Sequence, residues 1–145
     1  MTPEDQLPHW INRLGFVLRR TLQQRFKHAG HNLGAEEWAV LLLLWQQDGQ
    51  TPGDLARRTV RDQTTMTRLL DGMHKKHLIT RQHDTKDRRR VLVHLSAEGR
   101  ALEAKLVPVA AEFIAQSQRK IPPEDIETAR RVLRQMSENL TETGA

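Results

Sequence analysis

Apolar residues near the start of the chain recur at spacings of three and four, which is the pattern of one long amphipathic helix. The stripe consists of Leu7, Trp10, Ile11, Leu14, Leu18, Leu22 and Phe26. The helix is predicted to end near Gly30, because glycine is common just beyond helix C-termini. A stripe this wide requires apolar cover from another element or another chain.

A second helix is predicted to begin at Gly34. Leu33 before it and Trp38 within it form a hydrophobic staple, and Glu37 stands at the capping-box position. From Trp38 to Trp45 nearly every residue is apolar, so we expect this helix to lie in the core.

Two short helices separated by a tight turn are predicted next. The first is capped by Thr51, carries Pro52 in its first turn and ends at about Thr59. The second is capped by Asp62, and its inward face consists of Met66, Leu69, Leu70 and Met73. Two short helices joined in this way form a helix-turn-helix.

The period of the pattern then changes to two, which indicates β-structure. Residues 80–83 are a short strand candidate, and residues 91–95 alternate as a strand does. The intervening residues 84–90 contain no apolar side chain, so the two strands form a hairpin with a charged tip. The basic residues of that tip are Lys86, Arg88, Arg89 and Arg90.

Two further helices complete the prediction. Ser96 caps the first, which carries Pro108 and is expected to kink there. Pro122-Pro123 opens the last helix, whose stripe is Ile126, Ala129, Val132, Leu133, Met136 and Leu140. The predicted fold class is mainly α with a small β-hairpin wing (α+β), a winged helix-turn-helix with helices at both ends.

The charge of the chain is concentrated in its middle third. The net charge of the 145 residues is +5, yet residues 57–90 hold eleven bases and four acids, a net +7. A basic segment of this kind points to a polyanionic partner, nucleic acid before membrane, although a solvated charged face is the simpler alternative. The second helix of the helix-turn-helix carries Gln63, Thr64, Thr65 and Arg68, side chains of the types that read base edges and bond phosphates.

Several function classes are disfavoured by what the sequence lacks. The chain has no cysteine, which removes disulfides and thiolate metal sites. His28 with His31 and His74 with His77 stand three apart, but a metal site is not expected from them. No catalytic arrangement, phosphate loop or dinucleotide fingerprint is visible, so neither an enzyme nor a cofactor is expected. With no signal peptide and no apolar run of membrane-spanning length, the expected location is the cytoplasm.

Two segments resemble the MarR family of bacterial transcription regulators. Asp87–Gly99 (DRRRVLVHLSAEG) is similar to the wing signature of that family, and residues 55–79 match its helix-turn-helix in length and pattern. The resemblance covers about residues 7–142. It implies a single MarR-type domain over 1–145, with a winged helix-turn-helix DNA-binding lobe at 51–96 and dimerisation helices at 7–30 and 100–142.

The chain departs from the family pattern at two positions where many members have glycine. Val60 stands in the turn of the helix-turn-helix, so this turn must be made with negative φ or Val60 must be strained. His77 precedes the hydrophobic pair that follows the recognition helix, and histidine tolerates the left-handed region better than most residues.

The resemblance also implies roles for the residues of the DNA-binding lobe. Gln63, Thr64, Thr65 and Arg68 are expected to face the major groove. Arg89 resembles the family's minor-groove arginine, and Asp87 resembles the acid that orients it. Lys86, Arg88 and Arg90 are expected to neutralise phosphates. The alternative for each wing residue is an exposed turn residue held by a salt bridge.

The family further implies a homodimer on a palindromic DNA operator and a small anionic aromatic effector. Arg13 and Trp38 resemble the positions that line the effector cleft in salicylate-binding members; alternatively, Arg13 is a surface base and Trp38 belongs to the core. The terminal helices would form the dimer, unless they simply pack on each other within one chain. The resulting hypothesis is a dimeric, sequence-specific DNA-binding regulator, a repressor released by its ligand. A winged-helix protein-interaction module without DNA binding and a metal-responsive regulator are the alternatives.

Overall fold

The computed structural model describes residues 1–142, so positions 143–145 of the predicted 1–145 domain lie outside the described residues. The elements are a 3-10 turn at Pro3–Asp5, α1 (Leu7–His28), α2 (Ala35–Gln46), α3 (Pro52–Thr59), α4 (Gln63–Lys75), β1 (Ile79–His83), β2 (Val91–Leu95), α5 (Ala97–Ser117) and α6 (Pro123–Glu142). The predicted fold class, mainly α with a small β-hairpin wing, is confirmed.

The chain divides into two compact units. The first runs from Met1 to Ala110 and contains the helix-turn-helix, the hairpin and most of the buried core. The second begins at Ala111 and contains the last turns of α5 and then α6. α5 continues through Pro108 to Ser117 as one helix.

Polar side chains close the N-termini of the helices where the sequence predicts caps. The Asp62 carboxylate accepts the Thr65 N–H at 2.7 Å, and the Thr51 hydroxyl accepts the Asp54 N–H at 3.1 Å. At α2 the Glu37 carboxylate reaches back to the Gly34 N–H at 3.0 Å. Because each cap satisfies a main-chain donor that has no helical partner, the boundaries of these helices follow from local sequence.

The core of the first unit is built around α2 and α4. Val40, Leu41 and Leu44 of α2 are buried, but Leu42 on the opposite side is 42% exposed, so α2 is not buried on all sides. From α4 the predicted inward residues Met66, Leu70 and Met73 are buried, while Leu69 is half-buried. The remaining fully buried side chains include Phe26, Leu55, Ile79, Val93 and Leu106.

In the turn between α3 and α4, Val60 is strained rather than at negative φ. Val60 has φ 54° and ψ 48°, in the left-handed region. The Arg61 N–H donates to the Ala56 carbonyl at 2.9 Å, which is the 6→1 hydrogen bond of a Schellman motif at a helix C-terminus. Closing that bond requires left-handed backbone at residue 60, so the cap geometry determines φ despite the β-branched side chain. His77, at φ 61°, ends α4 in the same conformation.

The wing is an antiparallel hairpin with Ile79 opposite Leu95 and His83 opposite Val91. Its first strand begins at Ile79, one residue before the predicted segment. Gln50, in the loop between α2 and α3, forms an isolated antiparallel bridge with Val93 on the other side of β2. The hairpin is therefore attached to the helix-turn-helix along its second strand.

The N-terminal half of α1 carries a row of apolar side chains that are about half exposed among the described residues. Leu7 and Trp10 are each 49% exposed and Leu14 is 53% exposed, whereas Leu22 and Phe26 near the other end are buried. In the second unit Val132, Leu133 and Leu140 of α6 are likewise exposed.

Candidate nucleic-acid interface

The outward face of α4 is polar and free of large apolar groups. At about 100° per residue, the positions opposite buried Met66 and Met73 are residues 64, 68 and 71, with residue 67 at the edge of that face. Gln63, Thr64 and Arg68 are exposed, and their groove-facing role stays a prediction. Thr65 is half-buried beside the cap, where its N–H bonds Asp62. That N–H and the Thr65 side chain hold the pKa of Asp62 below its usual value.

Thr67 is a member of this face that the sequence analysis did not single out. It is exposed, and its hydroxyl donates to the Gln63 carbonyl at 2.9 Å. Thr67 follows Gln63 by four residues, a spacing that places the two residues on the same side of a helix, so the sequence could have indicated it.

An ion pair connects the outward face of α4 to the wing. Arg81 of β1 donates to the Asp71 carboxylate at 2.7 Å. The pair neutralises the acid that stands among the polar residues of α4, and it brings the recognition helix and the hairpin alongside each other. A surface pair of this kind adds little stability, so its main effect is on local charge and position.

At the wing tip Asp87 holds Arg89. The Asp87 carboxylate accepts the Arg89 main-chain N–H and the side-chain Nε, both at 3.1 Å, while Nη2 lies 3.5 Å from the second carboxylate oxygen. These bonds from Arg89 lower the pKa of Asp87 below its usual value. The Arg89 side chain is nevertheless 92% exposed, so it projects from the hairpin while anchored at its base.

The other charges of the tip are organised by Asp84. Its carboxylate accepts the Lys86 N–H at 3.0 Å and lies 3.7 Å from the Arg90 guanidinium. Lys86, Arg88 and Arg90 are exposed, and their phosphate-binding role stays a prediction. The tip therefore presents an excess of positive charge on a turn that the carboxylates of Asp84 and Asp87 stabilise by hydrogen bonds to main-chain N–H groups.

A cleft of about 610 Å³ lies between α1, the start of α2 and α4. Its lining is Phe16, Arg19, Arg20, Gln23, Gly34, Ala35, Glu36, Glu37, Arg68, Leu69, Gly72 and Lys76. The bases outnumber the acids by four to two, and the Arg19 guanidinium lies 4.8 Å from the centre of the Phe16 ring. Sequence reasoning did not find this cleft, because its residues come from three elements far apart in the chain.

The predicted effector pair does not line this cleft. Arg13 is exposed on α1, one turn before Phe16 on the same helical face. Trp38 is half-buried, with its ring centroid 5.3 Å from that of Phe26 and 5.6 Å from that of Trp45. Trp38 thus belongs to an aromatic cluster, and its effector role stays a prediction.

Over residues 1–142 no group of three or more His, Cys, Asp or Glu side chains is gathered as metal ligation requires. Within the same range none of the helices is both long and apolar enough to cross a bilayer.

Known proteins resemble this chain in part of its sequence and in its fold. Residues 33–91 match the family model described as MarR family. The chain is 29% identical over 97 residues to the transcriptional repressor YetL of Bacillus subtilis, covering 64% of this chain and 58% of that protein. It is 27% identical over 128 residues to the transcriptional regulator HosA of Escherichia coli, covering 86% of this chain and 95% of HosA.

Solved structures of transcriptional regulators also resemble this chain. BpsR of Bordetella bronchiseptica, described in terms of the regulation of its DNA binding by 6-hydroxynicotinic acid, superposes with a TM-score of 0.82 at 28% identity. The match covers 92% of this chain and 94% of BpsR. The relatives are transcriptional regulators rather than enzymes, as expected from the sequence. The matched segment, the relatives and the shared fold together make this chain similar to the winged helix-turn-helix transcriptional regulators of the MarR family.

Proposed function

We propose that this chain is a dimeric regulator that binds a palindromic DNA operator through α4 and the wing. The observation that carries the proposal is the arrangement of Arg89, which is 92% exposed yet anchored to Asp87 by three hydrogen bonds. An arginine held in this way is prepared to enter a narrow minor groove, where it reads shape as well as charge. The adjacent polar face of α4 supplies the donors and acceptors for the major groove.

The proposed dimer rests on the exposed apolar row of α1. Leu7, Trp10 and Leu14 leave roughly half of their surfaces in solvent, which is costly for large apolar groups in an isolated chain. A second copy related by a two-fold axis would cover them. Two recognition helices related by that axis would enter successive major grooves, ~34 Å apart, so the operator would be palindromic.

Repression is the mode of regulation we propose. The Bacillus subtilis relative YetL is named a repressor, and a bound dimer that covers a promoter blocks transcription without any further contact. The site of action is then the cytoplasm, where a bacterial operator is found.

The test is a nuclease footprint of the protein on the DNA beside its own coding region. The expected result is a protected segment with two-fold symmetry that is lost in Arg89→Ala at the same protein concentration. Arg119→Ala removes the same charge from the exposed turn that follows α5 and is the matched control; it should keep the footprint. Binding that shows no preferred segment would contradict the proposal, and no DNA binding at all would favour a protein-interaction module.

We further propose that a small anionic aromatic molecule is the effector and occupies the cleft of α1, α2 and α4. The excess of basic residues suits a carboxylate, and Phe16 offers a ring for stacking. Arg68 lines this cleft and also belongs to the outward face of α4, so a ligand there has direct access to the recognition helix. BpsR, whose DNA binding is regulated by the aromatic acid 6-hydroxynicotinic acid, supports this class of effector.

Two variants distinguish this cleft from the site that the family resemblance implies. Salicylate serves as the probe, and its binding is followed by calorimetry, with neutral benzyl alcohol as the control ligand. If the cleft is the site, Arg20→Gln weakens salicylate binding at least about tenfold, while Arg13→Gln leaves it unchanged. The reverse result would assign the effector to the neighbourhood of Arg13 and Trp38.

A further inference from the structure

Gln50 is a buried polar residue at the junction of α2, α3 and β2. Its side chain and main chain together are only 6% exposed. Its N–H donates to the Val93 carbonyl at 3.2 Å, and the Val93 N–H donates back to the Gln50 carbonyl at 2.8 Å. This pair of bonds makes residue 50 an isolated antiparallel bridge beside the two-stranded wing sheet.

The side chain of Gln50 satisfies polar groups on two helices at once. Its amide nitrogen donates to the carbonyls of Leu43 and Gln47, at 2.9 and 2.6 Å, in and just after the last turn of α2. Its carbonyl oxygen accepts from the Arg58 guanidinium of α3 at 3.0 Å. Arg58 also donates to the Gln46 side-chain oxygen at 3.3 Å, so the side-chain amide of Gln50 and the Arg58 guanidinium both have hydrogen-bond partners at this junction.

No other side chain of this size satisfies the same set of partners. Methionine has nearly the same shape but could not donate to the Leu43 and Gln47 carbonyls or accept from Arg58. Glutamate would place a carboxylate against the same two carbonyl oxygens. A buried polar network that is satisfied in one arrangement disfavours other arrangements of the elements that it joins. Gln50 therefore restricts how the hairpin sits against the helix-turn-helix.

We propose that Gln50 is a positioning residue that fixes the wing relative to α4, so that Arg89 and the recognition helix engage one DNA site together. The inference rests on the proposed DNA-binding function. Gln50 is buried and does not touch DNA itself; it acts through Val93 on β2 and Arg58 on α3. A small rotation at this junction moves the wing tip, which is the far end of the hairpin.

The first test follows wing position without DNA. The chain has no cysteine, so spin labels attach cleanly to Thr85→Cys at the wing tip and His74→Cys on α4, both exposed sites. Labelled chain is diluted with unlabelled chain so that only distances within one protomer are measured. The wild-type background should give one narrow distance distribution, and Gln50→Met should broaden or shift it.

Leu44→Ala is the matched control, because it removes a buried side chain of α2 and destabilises the same helix without touching the polar junction. Its distance distribution should stay narrow. Arg58→Gln, at an exposed residue, is the second variant in case Gln50→Met does not fold, and it should broaden the distribution too. A narrow, unshifted distribution in folded Gln50→Met or Arg58→Gln overturns the proposal.

The second test is a double-mutant cycle on operator affinity. Arg89→Ala should weaken binding by at least about tenfold in the wild-type background, but by less than about threefold in Gln50→Met, because a displaced wing has already lost the groove contact. In Leu44→Ala the full loss should remain. An equal loss from Arg89→Ala in both backgrounds overturns the positioning role. Failure of the wild-type chain to bind an operator overturns the proposed function, and the distance measurement still decides whether Gln50 fixes the wing.

Discussion

At the scale of single residues, Val60 is in a conformation that its side chain disfavours. Its φ of 54° is left-handed, and the side chain is 77% exposed and contributes little burial in return. A non-glycine residue in this region costs roughly 1–2 kcal/mol, part of which is offset because glycine increases the entropy of the unfolded chain. We expect Val60→Gly to raise the free energy of unfolding by about 1 kcal/mol.

The measurement is chemical denaturation of both proteins at the same concentration. Val60→Ala is the control, since it removes the β-branch but keeps a Cβ in the left-handed region, and it should gain less than Val60→Gly. Equal or lower stability of Val60→Gly would mean that the turn holds no strain at this residue.

Gly99 is required for a different reason, namely close approach of two backbones. A Cβ at this position would lie 2.1 Å from the Leu78 carbonyl oxygen, so α5 or the start of β1 would have to move. We expect Gly99→Ala to destabilise the protein by about 2 kcal/mol or more. Gly72→Ala is the matched control: nothing lies within 4 Å of its Cβ, and alanine in this helical position should be neutral or stabilising. Thermal unfolding of the two variants compares them directly, and similar midpoints would refute the steric explanation.

These residues indicate where sequence reasoning reaches its limit at this scale. The motif that ends at Gly99 is visible in the sequence, but the contact with Leu78 that explains the glycine exists only in the folded chain. For Val60 the sequence left two alternatives, and the hydrogen bond between Arg61 and Ala56 decides between them.

At the scale of elements, α4 exposes Thr67 at the edge of its polar face, whereas Thr65 is half-buried. A negative charge placed there would oppose phosphates and base acceptors. We expect Thr67→Glu to weaken operator binding by more than about tenfold, measured by fluorescence anisotropy on a labelled duplex. Ala104→Glu adds the same charge at an exposed site of α5 and should cost less than about threefold. Equal losses in the two variants would mean that net charge alone is responsible.

Most element boundaries were predictable because they depend on nearby residues. The caps at Gly34, Thr51 and Asp62 and the alternation in residues 91–95 are local signals. The cleft beside α4 was not predictable, because Phe16, Glu36 and Lys76 meet only through tertiary packing. The same holds for Gln50, a polar residue in a loop whose burial no local pattern indicates.

At the scale of the whole molecule, the half-exposed apolar row of α1 predicts self-association. Leu14 is 53% exposed at the middle of that row, so Leu14→Glu should place a charge in the proposed dimer interface. We expect the wild-type chain to sediment at twice the chain mass at micromolar concentration and Leu14→Glu to sediment as a monomer. Gln24→Glu, exposed on the same helix, should remain dimeric. A wild-type monomer that still binds operator tightly would contradict the proposed dimer.

The net charge of +5 provides a second explanation for DNA binding, in which the protein is simply a positive body near a polyanion. The two explanations predict opposite changes in DNA-binding affinity for one substitution. Asp87→Ala makes the protein more basic, so general electrostatics predicts tighter binding. If Asp87 holds Arg89 in the orientation that the groove requires, the same substitution weakens binding.

The decisive measurement is therefore the operator affinity of Asp87→Ala at fixed salt, beside Glu103→Ala, which removes an exposed acid from α5. We predict that Glu103→Ala binds as tightly as wild type or slightly more tightly. Asp87→Ala should instead lose a substantial part of the roughly tenfold, about 1.4 kcal/mol, that Arg89→Ala loses, and it should lose nothing further once Arg89 is gone. Binding of Asp87→Ala that is as tight as that of Glu103→Ala would contradict the account, and the wing would then be a positive patch without a specific role.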